Sequence, residues 1–344
     1  MQRQPEAQDP ILRRRTLRFA NTRSPAEPRG VETSTRGDRR ANANERRDEK
    51  RPDPLGTLYS HSRLSSFENC PKQFEFRYIL KVPRETESVE AFVGKRVHEI
   101  LERLYLFVGR GQIPGVEKVV DRYHKLWEET WDPERVRIVR EGTPLAFYRE
   151  LGERCLRGYY ARHYPFDEDE TLGIEKRVVF PLDEAGEYRM QGIIDRISRA
   201  RDGTIEVHDY KTGARVPSQQ RLDEDRQLAL YQIGLAREYG DDVPYRLVWH
   251  FVARNQIRTS TRTPEELAVL REKTIERIDE IRRTTVFPPR KIALCNWCEY
   301  KPLCPLYAEA HPGSEAAAET PAEEARRGSV AARDVKRNEQ LDLL

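Results

Sequence analysis

No run of apolar residues in this 344-residue chain reaches the ~18 needed to cross a membrane as a helix, which excludes a helical membrane protein. The chain does not open on a basic, then apolar, then small-residue pattern, so no secretory signal is read and the expected compartment is the cytoplasm. No Gly-x-x-x-x-Gly-Lys-Ser/Thr loop occurs, and without that phosphate cradle the chain carries no nucleotide-driven motor of its own. Charge of one sign is scarce too: 61 Lys and Arg face 58 Asp and Glu, a net charge of +3. That balance neither requires nor excludes a nucleic-acid partner, because a local basic groove can coexist with acidic surface elsewhere. Apolar residues make up only 37% and the mean hydropathy is −0.83, so disordered tails are expected to dilute an ordinary core. Five cysteines in a reducing compartment do not make a disulfide framework, which leaves their spacing as the informative feature.

Residues 1–55 are rich in Arg, Pro, Asn, Asp and Glu, with almost no apolar periodicity, and read as a disordered basic tail or an over-long start to the reading frame. Its Arg13-Arg14-Arg15 run suits non-specific contact with phosphate. Residues 308–344, rich in Ala, Glu, Pro and Arg, read as a second disordered tail, which places one ordered domain at 56–307.

Within that domain SRLSSFENCPKQFEFRYI offers Ser65 or Ser66 as the cap of a short helix carrying Phe67, Phe74, Phe76 and Tyr78. Val93, Val97, Ile100, Leu101 and Leu104 form an apolar stripe, which predicts a helix over 91–108, with His98 and Glu102 neighbours on one face. Two aromatic-rich helices are expected over 116–164 and a strand over 171–181, where Glu175 is a further candidate carboxylate. Helices over 225–239 and 264–283 flank a strand over 245–252. The order of helices, three strands, then helix, strand, helix fits a mixed α/β sheet flanked by helices.

The stretch around which this order turns is GIIDRISRARDGTIEVHDYKTG, Gly192 to Gly213. It reads as two strands, 190–198 and 204–211, joined at Asp202-Gly203. Ile205 and Val207 are expected to point one way, and Asp209 and Lys211, two residues apart, to point together. Pairing of the strands brings Asp195 near Asp209. Two carboxylates and a lysine at a sheet edge make a plausible site for a hard divalent cation and an activated water.

CNWCEYKPLC spaces Cys295, Cys298 and Cys304 closely enough for three thiolates to share a metal, with Cys70 the candidate fourth ligand. Four thiolates suit structural zinc or an iron-sulfur cluster equally well. Cys155, in a helix, is left over and reads as a small core residue.

MQGIIDRI and HDYKTG, together with Gly94-x-x-x-His98 upstream and Gln227-x-x-x-Tyr231 (QLALY) downstream, resemble the RecB-like branch of the PD-(D/E)XK nuclease superfamily. The four matches occur in the family's order, and the resemblance covers about residues 58–307. It implies a PD-(D/E)XK restriction-endonuclease-like mixed sheet flanked by helices, and a Mg²⁺- or Mn²⁺-dependent deoxyribonuclease. Asp195, Asp209, His98 and the backbone carbonyl of Tyr210 would hold the metal, Lys211 would act on the attacking water, and Gln227 and Tyr231 would position the strand. Cys70 with Cys295, Cys298 and Cys304, including Pro71 and Pro305, resembles the iron-sulfur staple of AddB and of CRISPR-associated RecB-like exonucleases. This implies a [4Fe-4S] cluster tying the domain's two ends together, in preference to zinc. The implied role is a single-strand exonuclease of DNA repair, acting on free ends alone or with a separate helicase. The alternative is a non-catalytic DNA-binding module or a zinc-stapled interaction protein. The closing QLDLL, Gln340 to Leu344, looks like a peptide that docks to the sliding clamp.

Overall fold

The Asp-Gly turn at the centre of the sequence does what its residues dictate. Gly203 takes φ +87°, a left-handed conformation that favours glycine, and Asp202 accepts the Thr204 N–H at 3.0 Å. It joins two long antiparallel strands in a computed structural model that describes residues 58–307. The expectations for residues 1–55 and 308–344, among them the peptide Gln340 to Leu344, lie outside the described residues. The chain divides after Lys50, and everything described belongs to the second unit.

In chain order the elements are β1 (Leu58–Ser60), α1 (His61–Asn69), α2 (Pro71–Phe74), β2 (Glu87–Ser88), α3 (Val89–Val108), α4 (Val116–Thr130), β3 (Val136–Arg137) and α5 (Leu145–His163). The second half comprises β4 (Asp169–Pro181), β5 (Arg189–Ala200), β6 (Ile205–Lys211), α6 (Gln219–Asp223), α7 (Arg226–Tyr239), β7 (Tyr245–Phe251), β8 (Gln256–Ser260) and α8 (Pro264–Arg283). Six strands form one mixed sheet: β1-β5-β6-β7-β8 run in that order and β4 pairs along the other edge of β5. β1 joins β5 parallel and β6 joins β7 parallel, while the β4–β5, β5–β6 and β7–β8 pairs are antiparallel.

The sheet is covered on both faces. One face packs Ile197, Ile205, Val207, Leu247 and Trp249 against Leu64 and Phe67 of α1, Leu228, Ile233 and Leu235 of α7, and Ile278 and Ile281 of α8. The other carries Tyr210 into a cluster built by α3, α4 and α5, where the expected stripe Val93, Val97, Ile100, Leu101 and Leu104 is buried. A helical layer on each side of a mixed sheet is the α/β architecture expected.

Three local expectations need correction. Ser60, not Ser65 or Ser66, caps the first helix by accepting the Arg63 N–H, and the aromatic run beyond it is broken. The extended Cys70 ends α1, Pro71 restarts the chain at the first position of α2, and Glu75–Ile79 form a π-helical turn. On β6 there is no change of direction: Ile205, Val207, Asp209 and Lys211 share the α7 face, as strand alternation requires. Finally, β1, β8 and the short α6 were not anticipated. Gln256–Ser260 has a single isoleucine, and its strand is enforced by pairing with β7 after a left-handed turn at Asn255, φ 49°.

Candidate active site

Asp209 and Lys211 end β6, with Gln227 directly across from them in the first turn of α7. Asp225 fixes that turn by accepting the Gln227 N–H at 2.8 Å as N-cap. The Gln227 amide then spans the pair, donating from Nε2 to Asp209 Oδ1 at 2.9 Å and accepting from Lys211 Nζ at 3.0 Å on Oε1. Lys211 Nζ lies 2.7 Å from the other Asp209 oxygen. The Asp209 carboxylate is buried, and that burial, joined by the charge of Asp195, raises its pKa although Lys211 opposes the rise. Burial disfavours the charge on Lys211 in turn, but Asp209 outweighs it and the ammonium is held above its ordinary pKa.

Asp195 stands where β5 and β6 part. Their ladder closes with Arg196 opposite His208, and beyond it Asp195 Oδ2 accepts the Tyr210 N–H at 2.7 Å, a carboxylate taking the place of the next strand carbonyl. Alternation along β5 slips here: Met190 and Ile194 share a core face with Ile197, although positions 194 and 197, three apart, would face opposite ways on a regular strand. Opposite the slip, Glu175 on β4 has φ +45°, a left-handed backbone that a glutamate adopts at a cost of about 1–3 kcal/mol. Such strain collects at functional sites.

His98 completes the group from the other face. In the turn of α3 before it, a Cβ at Gly94 would meet Thr212 Oγ1 at 3.1 Å, so the glycine lets the helix lie against the end of β6. One turn on, the His98 ring spans two ligand-type atoms, with Nε2 2.7 Å from the Tyr210 carbonyl oxygen and Nδ1 3.4 Å from Asp195 Oδ1. Burial disfavours the charged ring, yet the bond and charge of Asp195, with Asp209 behind it, lift its pKa to about 9. Glu175 is raised to about 7, first by burial and then by Asp195. His98, Glu175 and Asp195 each offer one ligand atom within 4.8 Å of the others. Three carboxylates around one imidazole and a backbone carbonyl are the hard donors a divalent cation takes, and its charge would relieve their mutual repulsion.

Asp195, Asp209, Lys211, His98, Gln227 and the Tyr210 carbonyl are therefore brought together. Glu175 joins them, while Glu102 lines the same cleft without entering the close group. Tyr231 stands one turn beyond Gln227, and its ring packs against Gly192: a Cβ there would be 2.1 Å from Tyr231 Cε1. Gly192→Ala is therefore expected to displace Tyr231, cost about 1–3 kcal/mol of stability as overpacking, and slow turnover at least tenfold. Thermal unfolding and Mn²⁺ calorimetry alongside the rate separate the effects, because the metal residues stay in place.

On the far side of Tyr210 lies a buried polar network that sequence reading missed. The Arg196 guanidinium, fully buried, pairs with Asp169 Oδ1 at 2.7 Å and lies 4.3 Å from the centre of the Tyr105 ring. His208 is bonded to His250 at 2.9 Å and to Ser198 at 2.8 Å. Nothing in the residue pattern distinguishes these from surface charges, because each is buried only through non-local packing.

The four cysteines meet elsewhere. Cys70, from the α1–α2 break, and Cys295, Cys298 and Cys304 line one cavity of about 180 Å³. Donors point at three of the sulfurs: Arg290 N–H to Cys70 at 3.4 Å, Ile292 N–H to Cys295 at 3.3 Å, and Gln73 Nε2 to Cys298 at 3.6 Å. N–H groups aimed at sulfur suit thiolates and their metals. Cys155 is buried in the α3–α5 cluster, and burial pushes its thiol up to about 12, which fits an inert core residue.

A mixed sheet between helical layers, with paired carboxylates and a lysine closing its central strands, has the form of a metal-dependent phosphodiesterase centre. The chain matches the PD-(D/E)XK nuclease superfamily over residues 58–305 and belongs to it. No curated protein matches it in sequence. Among solved structures it is similar to the crystal structure of SSO0001, at 13% identity over 73% of this chain and 86% of that one, with a TM-score of 0.33. Metal-dependent phosphodiester hydrolysis is the chemistry this superfamily suggests, and its members are mostly nucleases.

Proposed function

We propose that this chain is a Mg²⁺- or Mn²⁺-dependent deoxyribonuclease of the RecB-like branch that digests single-stranded DNA from free ends in DNA repair. The observation that carries the reading is the convergence of Asp195, Asp209, Lys211 and His98 on one end of the β5–β6 pair, bridged by Gln227. Asp195, Asp209, His98 and the Tyr210 carbonyl would hold the cation, with Glu175 as a further carboxylate. When bound it supplies an acidified water and a Lewis acid for the phosphoryl oxygen. Lys211, kept cationic by Asp209 and aimed by Gln227, orients that water and offsets charge building on the phosphate. His98 and Asp195, each tied to the Tyr210 backbone, hold the carbonyl and the carboxylate in register. Tyr231 supports the strand beside Gln227.

The four cysteines hold a [4Fe-4S] cluster in this reading. What supports a shared metal is the common cavity and the N–H groups directed at three of the sulfurs; the preference for iron-sulfur over zinc rests on the resemblance. The chain would work in the cytoplasm with a separate helicase supplying single strands. Docking to the sliding clamp would rest on Gln340 to Leu344.

The test is digestion of end-labelled single- and double-stranded DNA by anaerobically purified protein, with Mg²⁺, Mn²⁺ or chelator, after its visible absorption is recorded. Brown protein that degrades single strands from one end, only with metal, is the expected result, and the ladder gives the polarity. Colourless zinc protein, or no cleavage by folded and metal-loaded protein, would overturn the corresponding half of the reading.

A further inference from the structure

The inner edge of β5 is shared unequally. β1 pairs with Arg189–Gln191 and β6 with Arg196–Arg199, so from Gly192 to Asp195 no described strand lies on that side. The gap is a notch in the sheet, floored by β5, bounded by the junction of β1 with α1 and roofed by the first turns of α7. Its cavity is about 340 Å³ and is lined by His61, Ser62, Arg177, Gln191, Ile193 and Tyr231, together with Gln227. That volume falls at the small end of the ~300–1,000 Å³ found for small-molecule sites. Gln227 lines the notch and also bonds Asp209, so one side chain separates the notch from the carboxylates.

Its lining is mixed in a particular way. Ile193 is 55% exposed, unusual for a large aliphatic residue in an inner strand, and the lack of a side chain at Gly192 lets the Tyr231 ring close against the floor beside it. Arg177, exposed, is anchored by its 2.9 Å bond to the Gln191 amide. The His61 imidazole bonds Ser65 through Nε2, while its Nδ1 meets no hydrogen-bond partner among the described residues. Burial and the charge of Arg226 push His61 down to about 4, leaving the ring neutral at pH 7. An apolar wall, one anchored cation, two hydroxyls and a neutral imidazole suit a nucleotide unit: base against the exposed aliphatic surface, phosphate beside the guanidinium.

We propose that this notch is the subsite for the unpaired nucleotide next to the scissile phosphate, with its base seated on Ile193 and its phosphate beside Arg177. This deepens the nuclease reading and rests on it. A base reaches such a wall only when it is not paired and stacked in a duplex, so the notch selects a single strand.

Ile193→Ala removes the wall without touching the metal residues, and the side chain's exposure keeps the fold intact. With a single-stranded oligonucleotide and Mn²⁺, the expected result is a rise in KM of about tenfold, with the effect on KM rather than kcat. An abasic position walked along the oligonucleotide should abolish the difference between wild type and variant at one site only, next to the cut. Equal KM for both proteins on intact oligonucleotide, or a penalty indifferent to the abasic position, overturns the subsite and leaves the nuclease standing. No Mn²⁺-dependent cleavage by the wild type overturns the nuclease reading and the subsite with it.

Discussion

Lys211→Ala is expected to lower DNA cleavage by about a hundred- to a thousandfold while the protein stays folded and keeps its metal. Both halves follow from the same contacts. Nζ lies 2.7 Å from Asp209 and 3.0 Å from Gln227, so the ammonium is held in one place and costs no reorganisation when charge develops on the phosphate. The side chain is 38% exposed, so its loss leaves no core cavity. What it does leave is Asp209, buried and bonded only by Gln227, an uncompensated charge that favours any incoming cation. Calorimetry should therefore find Mn²⁺ bound at least as tightly by the variant as by the wild type. Weaker binding would mean that Lys211 shapes the metal site and does not act on the reaction.

Cys70→Ala is expected to remove the visible absorption and lower the stability by about 4 kcal/mol, an unfolding midpoint about 10 °C lower. A cluster joining Cys70 to the trio at Cys295–Cys304 closes a loop of more than two hundred residues, and cutting it returns that restraint to the unfolded chain. The C-terminal segment stays docked by other means, which is why destabilisation rather than unfolding is expected. Glu299 pairs with Arg77 and accepts from Gln73, Tyr300 donates to the Val82 carbonyl at 3.1 Å, and its ring packs on Phe76 at 5.5 Å. Thermal unfolding under anaerobic conditions checks the magnitude, and an unchanged midpoint would mean that no metal restrains the chain ends.

Much of this was legible in the residues, because the informative signals are local. The leucines and isoleucines of Pro264–Arg283 repeat at helical spacing behind Thr263 and Glu266, and the helix begins and ends where that pattern does, closed by a capping box. Asp209 and Lys211 had to share a face because strand alternation leaves no other arrangement. What the residues did not carry is long-range geometry. Glu175 was visible as a carboxylate, but its left-handed backbone and the slip at Asp195 arise only when β4 and β5 pair. The notch beside Gly192 exists because two strands divide one edge of β5, a fact of topology with no sequence signature. Arg196, His208 and His250 look like surface polar residues until the α3–α5 layer closes over them. Ser60 and the break at Cys70 were misplaced for a related reason: several serines in a row can each cap a helix, and only the end of β1 selects one.

The measurement that bears most directly on the metal centre is the initial rate of single-stranded DNA cleavage as Mg²⁺ is titrated, for wild type, Asp195→Asn and Asp209→Asn in parallel. Asparagine keeps the shape of each side chain and removes the charge that holds a hard cation. Saturable, metal-dependent cleavage by the wild type, with a loss of at least about a hundredfold in both variants at every concentration, is the predicted result. Wild-type rates from either variant at saturating Mg²⁺ would contradict it and place the chemistry away from the β5–β6 end.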